Sequence, residues 1–243
     1  MSLRTLVKKI KRRVALRNSR SAIAYYKKQG IRIGKGTRFQ SPKTATIDCT
    51  RPELVSIGDN VFLHKGITIM THDFASSVIV KDKSLFYPSH GKISIGNNVW
   101  FGQNCTILKG VTIGDNCIIG YGSIVLKDIP ANSVAAGCPA RVICSLDEYV
   151  EKRSKVYIEE AIEYAVEIIK SGREPQKEDF WDDYPCFVDA ENCKDYDFPY
   201  SRIFKTEESF EQWKNRHHKR FNGFDDFISY VKSTLQYRQI GDE

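Results

Sequence analysis

A six-residue period runs through the middle of the chain and constrains its fold more than any other feature. From Ile95 to Val125, every sixth residue is Ile, Phe or Val: Ile95, Phe101, Ile107, Ile113, Ile119 and Val125. The fifth position of each step is small or β-branched, as in Val99, Cys105, Val111, Cys117 and Ser123. An earlier copy runs through Ile57, Leu63 and Ile69, with Val61 and Ile67 at the fifth positions. A period of six matches neither a helix nor a long strand. It suits short strands joined by tight corners, each step pointing one aliphatic side chain inward. Three steps then close a triangular coil, and coils stack about 4.7 Å apart as a β-helix. Gly58-Asp59-Asn60 and Gly96-Asn97-Asn98 supply corner residues that tolerate positive φ. Ile33 and Phe39 keep the register. Ala45 and Arg51 fit it poorly, which predicts an irregular first coil.

The charge is unevenly spread over the 243 residues. Residues 1–47 carry 14 Lys and Arg and no acid, for a net +14; residues 48–143 are near neutral at +1; residues 144–243 carry −8. The overall +7 therefore describes one segment and is not read as a nucleic-acid footprint. No stretch approaches the roughly 18 apolar residues of a membrane span. Basic residues interrupt the apolar core that a secretory signal would need. Seven cysteines with no C-x-x-C pair argue against a disulfide framework or a zinc site. They read as reduced thiols of a cytoplasmic protein, with Cys105 and Cys117 in the core.

Four segments carry a family resemblance. They are Ile95-Gly96-Asn97-Asn98-Val99-Trp100; Gly110-Val111-Thr112-Ile113-Gly114-Asp115-Asn116; Lys127-Asp128-Ile129-Pro130; and Ala135 through Ile143. On these, residues 31–143 resemble the left-handed β-helix, hexapeptide-repeat acetyltransferases that act on maltose, galactosides, xenobiotics and polysaccharides. The left hand is implied by the resemblance alone, since parallel crossovers are generally right-handed. The expected fold is an all-β core, a left-handed parallel β-helix. Residues 1–30 form a basic amphipathic N-terminal helix and residues 144–243 a mainly helical extension.

Between Ile69 and Ile95 the repeat is interrupted, so residues 73–92 must leave the coil as a loop. His72 stands where that loop departs, on rigid structure yet exposed, as a general base requires. The resemblance puts the family's catalytic histidine there, in Thr71-His72-Asp73. An imidazole can take a proton from a sugar hydroxyl near neutral pH as the oxygen attacks a thioester. His90, far along the loop, and His64, at a coil corner, are weaker rivals. Either Asp73 or a backbone carbonyl would orient the ring. Asp73, Phe74 and Tyr87 are the substrate-side candidates, on a loop whose aromatics suit an acceptor-binding wall.

The resemblance also implies acetyl-CoA as donor, held between two β-helices of a homotrimer so that each active site needs two subunits. Trp100 would lie beside the histidine and thioester. Backbone groups near Gly102 and Tyr121 would meet the pantetheine arm. Lys127 and Arg141 would meet the phosphates, and Pro139 would shape the adenine end. Attack is direct, with no acyl-enzyme and no metal. Gln103 departs from relatives that carry Ser or Gly, which leaves the oxyanion donor open.

At the N-terminus, Leu3, Leu6, Val7, Ile10 and Val14 share one helical stripe among basic residues. It would pack within the trimer, or lie peripherally on an anionic membrane surface through residues 1–20. The leading expectation is an acetyl-CoA-dependent O-acetyltransferase acting on a sugar or glycan in capsule or lipopolysaccharide assembly. The rivals are a xenobiotic or amino-sugar N-acetyltransferase, and a non-catalytic trimeric scaffold.

Overall fold

The computed structural model describes residues 12–196, 204 and 206–241, with side chains to residue 235. It divides into two compact units, Met1–Val150 and Glu151–Glu243. The apolar stripe from Leu3 to Ile10 lies outside the described residues. Val14 is described and is exposed.

In the first unit the chain winds through three parallel sheets in turn. One face stacks Arg32–Ile33, Val55–Ile57, Ile93–Ile95 and Thr112–Ile113. The second stacks Arg38–Phe39, Phe62–Leu63, Trp100–Phe101, Ile118–Ile119 and Ser133–Gly137. The third stacks Thr46–Ile47, Thr68–Met70, Thr106–Leu108 and Ile124–Val125. Register follows the six-residue period. Phe101 lies between Leu63 and Ile119, and Ile107 between Ile69 and Val125. Each of these side chains points inward and is fully buried, so the core is a set of stacked apolar columns. Cys105 and Cys117 are buried among them.

The corners turn on residues that tolerate the left-handed region. Asn60, Asn98, Asn104, Asn116 and Asn132 all have φ between 53° and 59°. Successive coils are tied there by an amide ladder, Asn98 donating to Asn116 and Asn116 to Asn132, each at 2.9 Å.

The first coil is irregular for a definable reason. Short 3₁₀ turns at Pro42–Thr44 and Pro52–Leu54 add residues to two corners, so the hexad-leading inward side chain after Phe39 is Ile47 and the next is Ile57, spacings of eight and ten rather than six. Below this coil, helix α1 (Ser19–Gln29) is capped by the Asn18 side chain, which accepts from the Ser21 N–H at 2.9 Å. Its Tyr26 ring stacks on Phe39 at 5.7 Å and closes the lower end of the core. At the other end, Ala140–Ser145 folds back antiparallel on Ser133–Gly137 and ends the parallel stack.

The interruption is partly ordered. The chain leaves at Thr71, forms helix α2 (Ser76–Lys83), and returns by pairing His72 with His90 and Asp73 with Ser89, antiparallel. Helix α3 (Leu146–Lys170) follows the stack and runs into the second unit. That unit adds 3₁₀ turns at Lys177–Phe180, Tyr184–Cys186 and Cys193–Asp195, then helices α4 (Glu207–Arg216) and α5 (Phe224–Gly241). Its own core gathers Ala161, Ala165, Phe180, Phe187, Phe227 and Val231.

Phe101 tests the column packing. It is fully buried between two aliphatic layers, so Phe101→Ala leaves a cavity that stacked neighbours cannot collapse into. The expected loss is about 3–5 kcal/mol, read from the denaturant midpoint of the first unit.

Candidate active site

The site is built where the third face ends. Ile47 and Ile69 are register neighbours, so the residues that follow them, Asp48 and then Thr71-His72, leave adjacent coils side by side. The Asp48 N–H donates to the Ile69 carbonyl at 2.9 Å, which fixes the carboxylate beneath the departing loop. Its side chain is only 2% exposed, whereas that of His72 is 25% exposed.

Each Asp48 oxygen is fully engaged. Oδ1 accepts from the Thr50 N–H at 2.8 Å and from the Thr50 hydroxyl at 2.7 Å. Oδ2 accepts from the Thr71 N–H at 3.3 Å, from the Thr71 hydroxyl, and from His72 Nδ1 at 2.6 Å. Burial alone would raise the pKa of this carboxyl. The donors from Thr71, Thr50 and His72 outweigh it and hold Asp48 well below the usual carboxylate range. Asp48 is therefore an anion, and as an acceptor it assigns the Nδ1 proton to His72. Nε2 is then the nitrogen free to take a proton.

His72 opens on a cavity of about 230 Å³ lined by Thr50, Arg51, His72, Asp73, Phe74 and Phe86, among others. Phe74 and Phe86 stand 6.5 Å apart with rings inclined at 55°. Asp73 does not orient the imidazole. It turns to Lys109, which also donates to Ser89, and accepts from the Ala75 N–H at 3.0 Å. The structure thus replaces both expected orienting groups, Asp73 and a backbone carbonyl, by Asp48. Tyr87 is exposed and does not line the cavity; its carbonyl accepts from Ser76. His90 is exposed and pairs with His72 through the backbone alone.

A second cluster lies on the second face. Trp100 meets Tyr121 edge-on at 5.5 Å, and His64 lies 6.2 Å from Trp100 and 5.8 Å from Tyr121. Burial lowers the pKa of His64, and its Nδ1 accepts from the Lys65 N–H at 2.9 Å, so its proton sits on Nε2. Gly102 occupies the coil between His64 and Tyr121. A Cβ there would stand 2.6 Å from the Tyr121 backbone nitrogen, so glycine lets the next coil stack closely at this point. Gly102 itself is buried and spends its N–H on the Ile119 carbonyl at 2.8 Å. Lys127, Pro139 and Arg141 are exposed near the end of the stack, Arg141 folding back onto the Ala140 carbonyl at 2.9 Å. Among the described residues, no hydrogen bond or ring contact joins these three to Trp100. Trp100 and His72 belong to different faces of one chain.

Asp48, Thr50, Thr71 and Arg51 are the residues that sequence reasoning missed. The available signals were slight: Asp48 is the first acid in the chain, and Arg51 fits the repeat poorly.

The family described as "Bacterial transferase hexapeptide (six repeats)" matches residues 92–127. The galactoside O-acetyltransferase of Escherichia coli K12 is 42% identical over 127 residues, 51% of this chain and 59% of the relative. Protein CapG of Staphylococcus aureus is 39% identical over 126 residues, 52% of this chain and 72% of CapG. A solved maltose O-acetyltransferase from Clostridium difficile 630 is 32% identical, covering 47% of this chain and 66% of that one, with a TM-score of 0.33. The chain thus spans less than two thirds of the galactoside relative's length.

Proposed function

Since the chain belongs to the hexapeptide-repeat acetyltransferase family, we propose that it moves an acetyl group from acetyl-CoA to a hydroxyl of a sugar, with His72 as the general base. The observation that carries the reading is the 2.6 Å bond from His72 Nδ1 to a buried, anionic Asp48 at the mouth of a cavity. Nε2 takes the proton of the acceptor hydroxyl as its oxygen attacks the thioester carbonyl. The tetrahedral intermediate expels the CoA thiolate, and the imidazolium returns the proton to that sulfur. Asp48 favours the charge that appears on the ring in between. No acyl-enzyme forms.

The donor reading rests on Trp100 and Tyr121, whose edge-on rings offer an apolar rest for a pantetheine arm. Lys127 and Arg141 are exposed cations suited to its phosphates, and Pro139 flanks the adenine end. Trp100 and His72 lie on different faces, which favours a homotrimer in which one subunit's His72 meets its neighbour's Trp100. The family implies the left-handed winding, and a place in capsule or lipopolysaccharide assembly is part of the proposal. Among the described residues no helix is long and apolar enough to cross a membrane. Peripheral contact through residues 1–20 stays a proposal.

The test is CoA release from acetyl-CoA over a panel of neutral sugars, sugar acids, sugar phosphates, nucleotide-sugars, an amino sugar and chloramphenicol. Release driven by a sugar hydroxyl is expected. Release with chloramphenicol alone would overturn the sugar acceptor, and release with the amino sugar alone, yielding the N-acetyl product, would overturn the O-acetyl reading.

A further inference from the structure

Arg51 lines the His72 cavity, and nothing in the reaction just described uses it. It is half-buried, and among the described residues its guanidinium has no hydrogen bond or ion pair. The other charges around the cavity are committed. Asp48 is enclosed by Thr50, Thr71 and His72, and Asp73 is paired with Lys109. Arg51 is thus the cation at this cavity left without a carboxylate among the described residues. Its backbone is held on both sides. Thr50 is fastened to Asp48, and Pro52 opens the 3₁₀ turn in which the Arg51 carbonyl accepts from the Leu54 N–H at 3.1 Å.

The planar fork of a guanidinium matches an oxyanion in two-point contact. The cavity's 230 Å³ suits about one sugar ring. Phe74 and Phe86 offer apolar walls for the C–H face of such a ring, and the Asp48 charge is offset by the donors of Thr50, Thr71 and His72.

We propose that the acceptor is an anionic sugar, bearing a carboxylate or a phosphate, and that Arg51 selects it by binding that oxyanion while His72 faces a hydroxyl of the same ring. This deepens the acetyl-transfer reading and rests on it. A sugar acid and a sugar phosphate share the recognised chemistry, so the assay separates them from each other and from the neutral parent.

Acetyl-CoA turnover is measured with galactose, galacturonate and galactose 6-phosphate, using wild type, Arg51→Gln and Arg51→Lys. Wild type is expected to favour one anionic sugar over galactose by about tenfold or more in kcat/KM. Arg51→Gln should lose about 10–100-fold on that sugar, chiefly through KM, and stay within about twofold on galactose. Arg51→Lys should recover part of the loss, since it keeps the charge without the fork. A wild type that prefers galactose, or an Arg51→Gln loss equal on all three sugars, overturns the proposal while leaving acetyl transfer intact. If no sugar releases CoA, the acetyl-transfer reading falls instead. Titration of each sugar into the protein by NMR then still decides: binding of galacturonate or galactose 6-phosphate that Arg51→Gln abolishes supports the anion site, and no preference over galactose overturns it.

Discussion

His72→Ala is expected to lower acetyl transfer by about 10²–10⁴-fold, the span of a positioned general base. The loss should fall on kcat, because the apolar cavity walls proposed to hold the acceptor ring, Phe74 and Phe86, are untouched. The protein should remain folded. His72 is a quarter exposed, and its removal leaves Asp48 Oδ2 with both Thr71 donors and Oδ1 with both Thr50 donors. Equal thermal unfolding of variant and wild type establishes that, and CoA release then reads the chemistry alone. Turnover within about threefold of wild type would remove His72 as the base and return attention to His64. That ring is the rival, because it lies with Trp100 and Tyr121 on the face to which the donor was assigned.

What could be read from the sequence follows from where the six-residue period holds. From Ile95 to Val125 each side chain's direction is set by its place in the hexad, and the observed registers repeat that count. The same counting fails at the floor of the site. Asp48 and His72 are 24 residues apart, not one regular coil of 18, because the Pro52 turn lengthens the corner between them and His72 lies beyond Met70, where the loop departs. A partnership that depends on broken register has no periodic signature. The nearest acid in sequence, Asp73, drew the attention, although a residue beside His72 on an extended segment points its side chain to the opposite side. Arg51 was visible as a residue that fitted the repeat poorly. It sits at a corner facing the cavity and not in the core. Helix α2 escaped for a different reason: Val78, Ile79 and Val80 favour strands, and Val78 and Val80 are exposed, so no apolar periodicity marks it.

Asp48→Asn, nearly isosteric, is expected to be the most damaging change outside His72, in activity and in stability together. Both carboxylate oxygens accept a backbone N–H, Oδ1 from Thr50 and Oδ2 from Thr71. Either orientation of an Asn amide therefore turns its NH₂ against a backbone donor. With the NH₂ in the Oδ2 position it also donates to His72 Nδ1, moving the imidazole proton to Nε2 and blocking the base. The corresponding loss in a serine-protease triad is about 10⁴-fold, and a loss of about 10²–10⁴-fold is expected here. At neutral pH the unpaired donors should cost roughly 2–4 kcal/mol. The pH dependence supplies the sign. The folded-state pKa of Asp48 is depressed, so its stabilisation is present above the unfolded carboxyl value near 4 and is lost as pH falls toward the folded one. The stability gap between wild type and Asp48→Asn should therefore be full at pH 7 and shrink on acidification below about pH 4. A gap that stays constant through that range would mean that Asp48 is not the buried anion holding His72, and the assignment of Nε2 as the reactive nitrogen would fall with it.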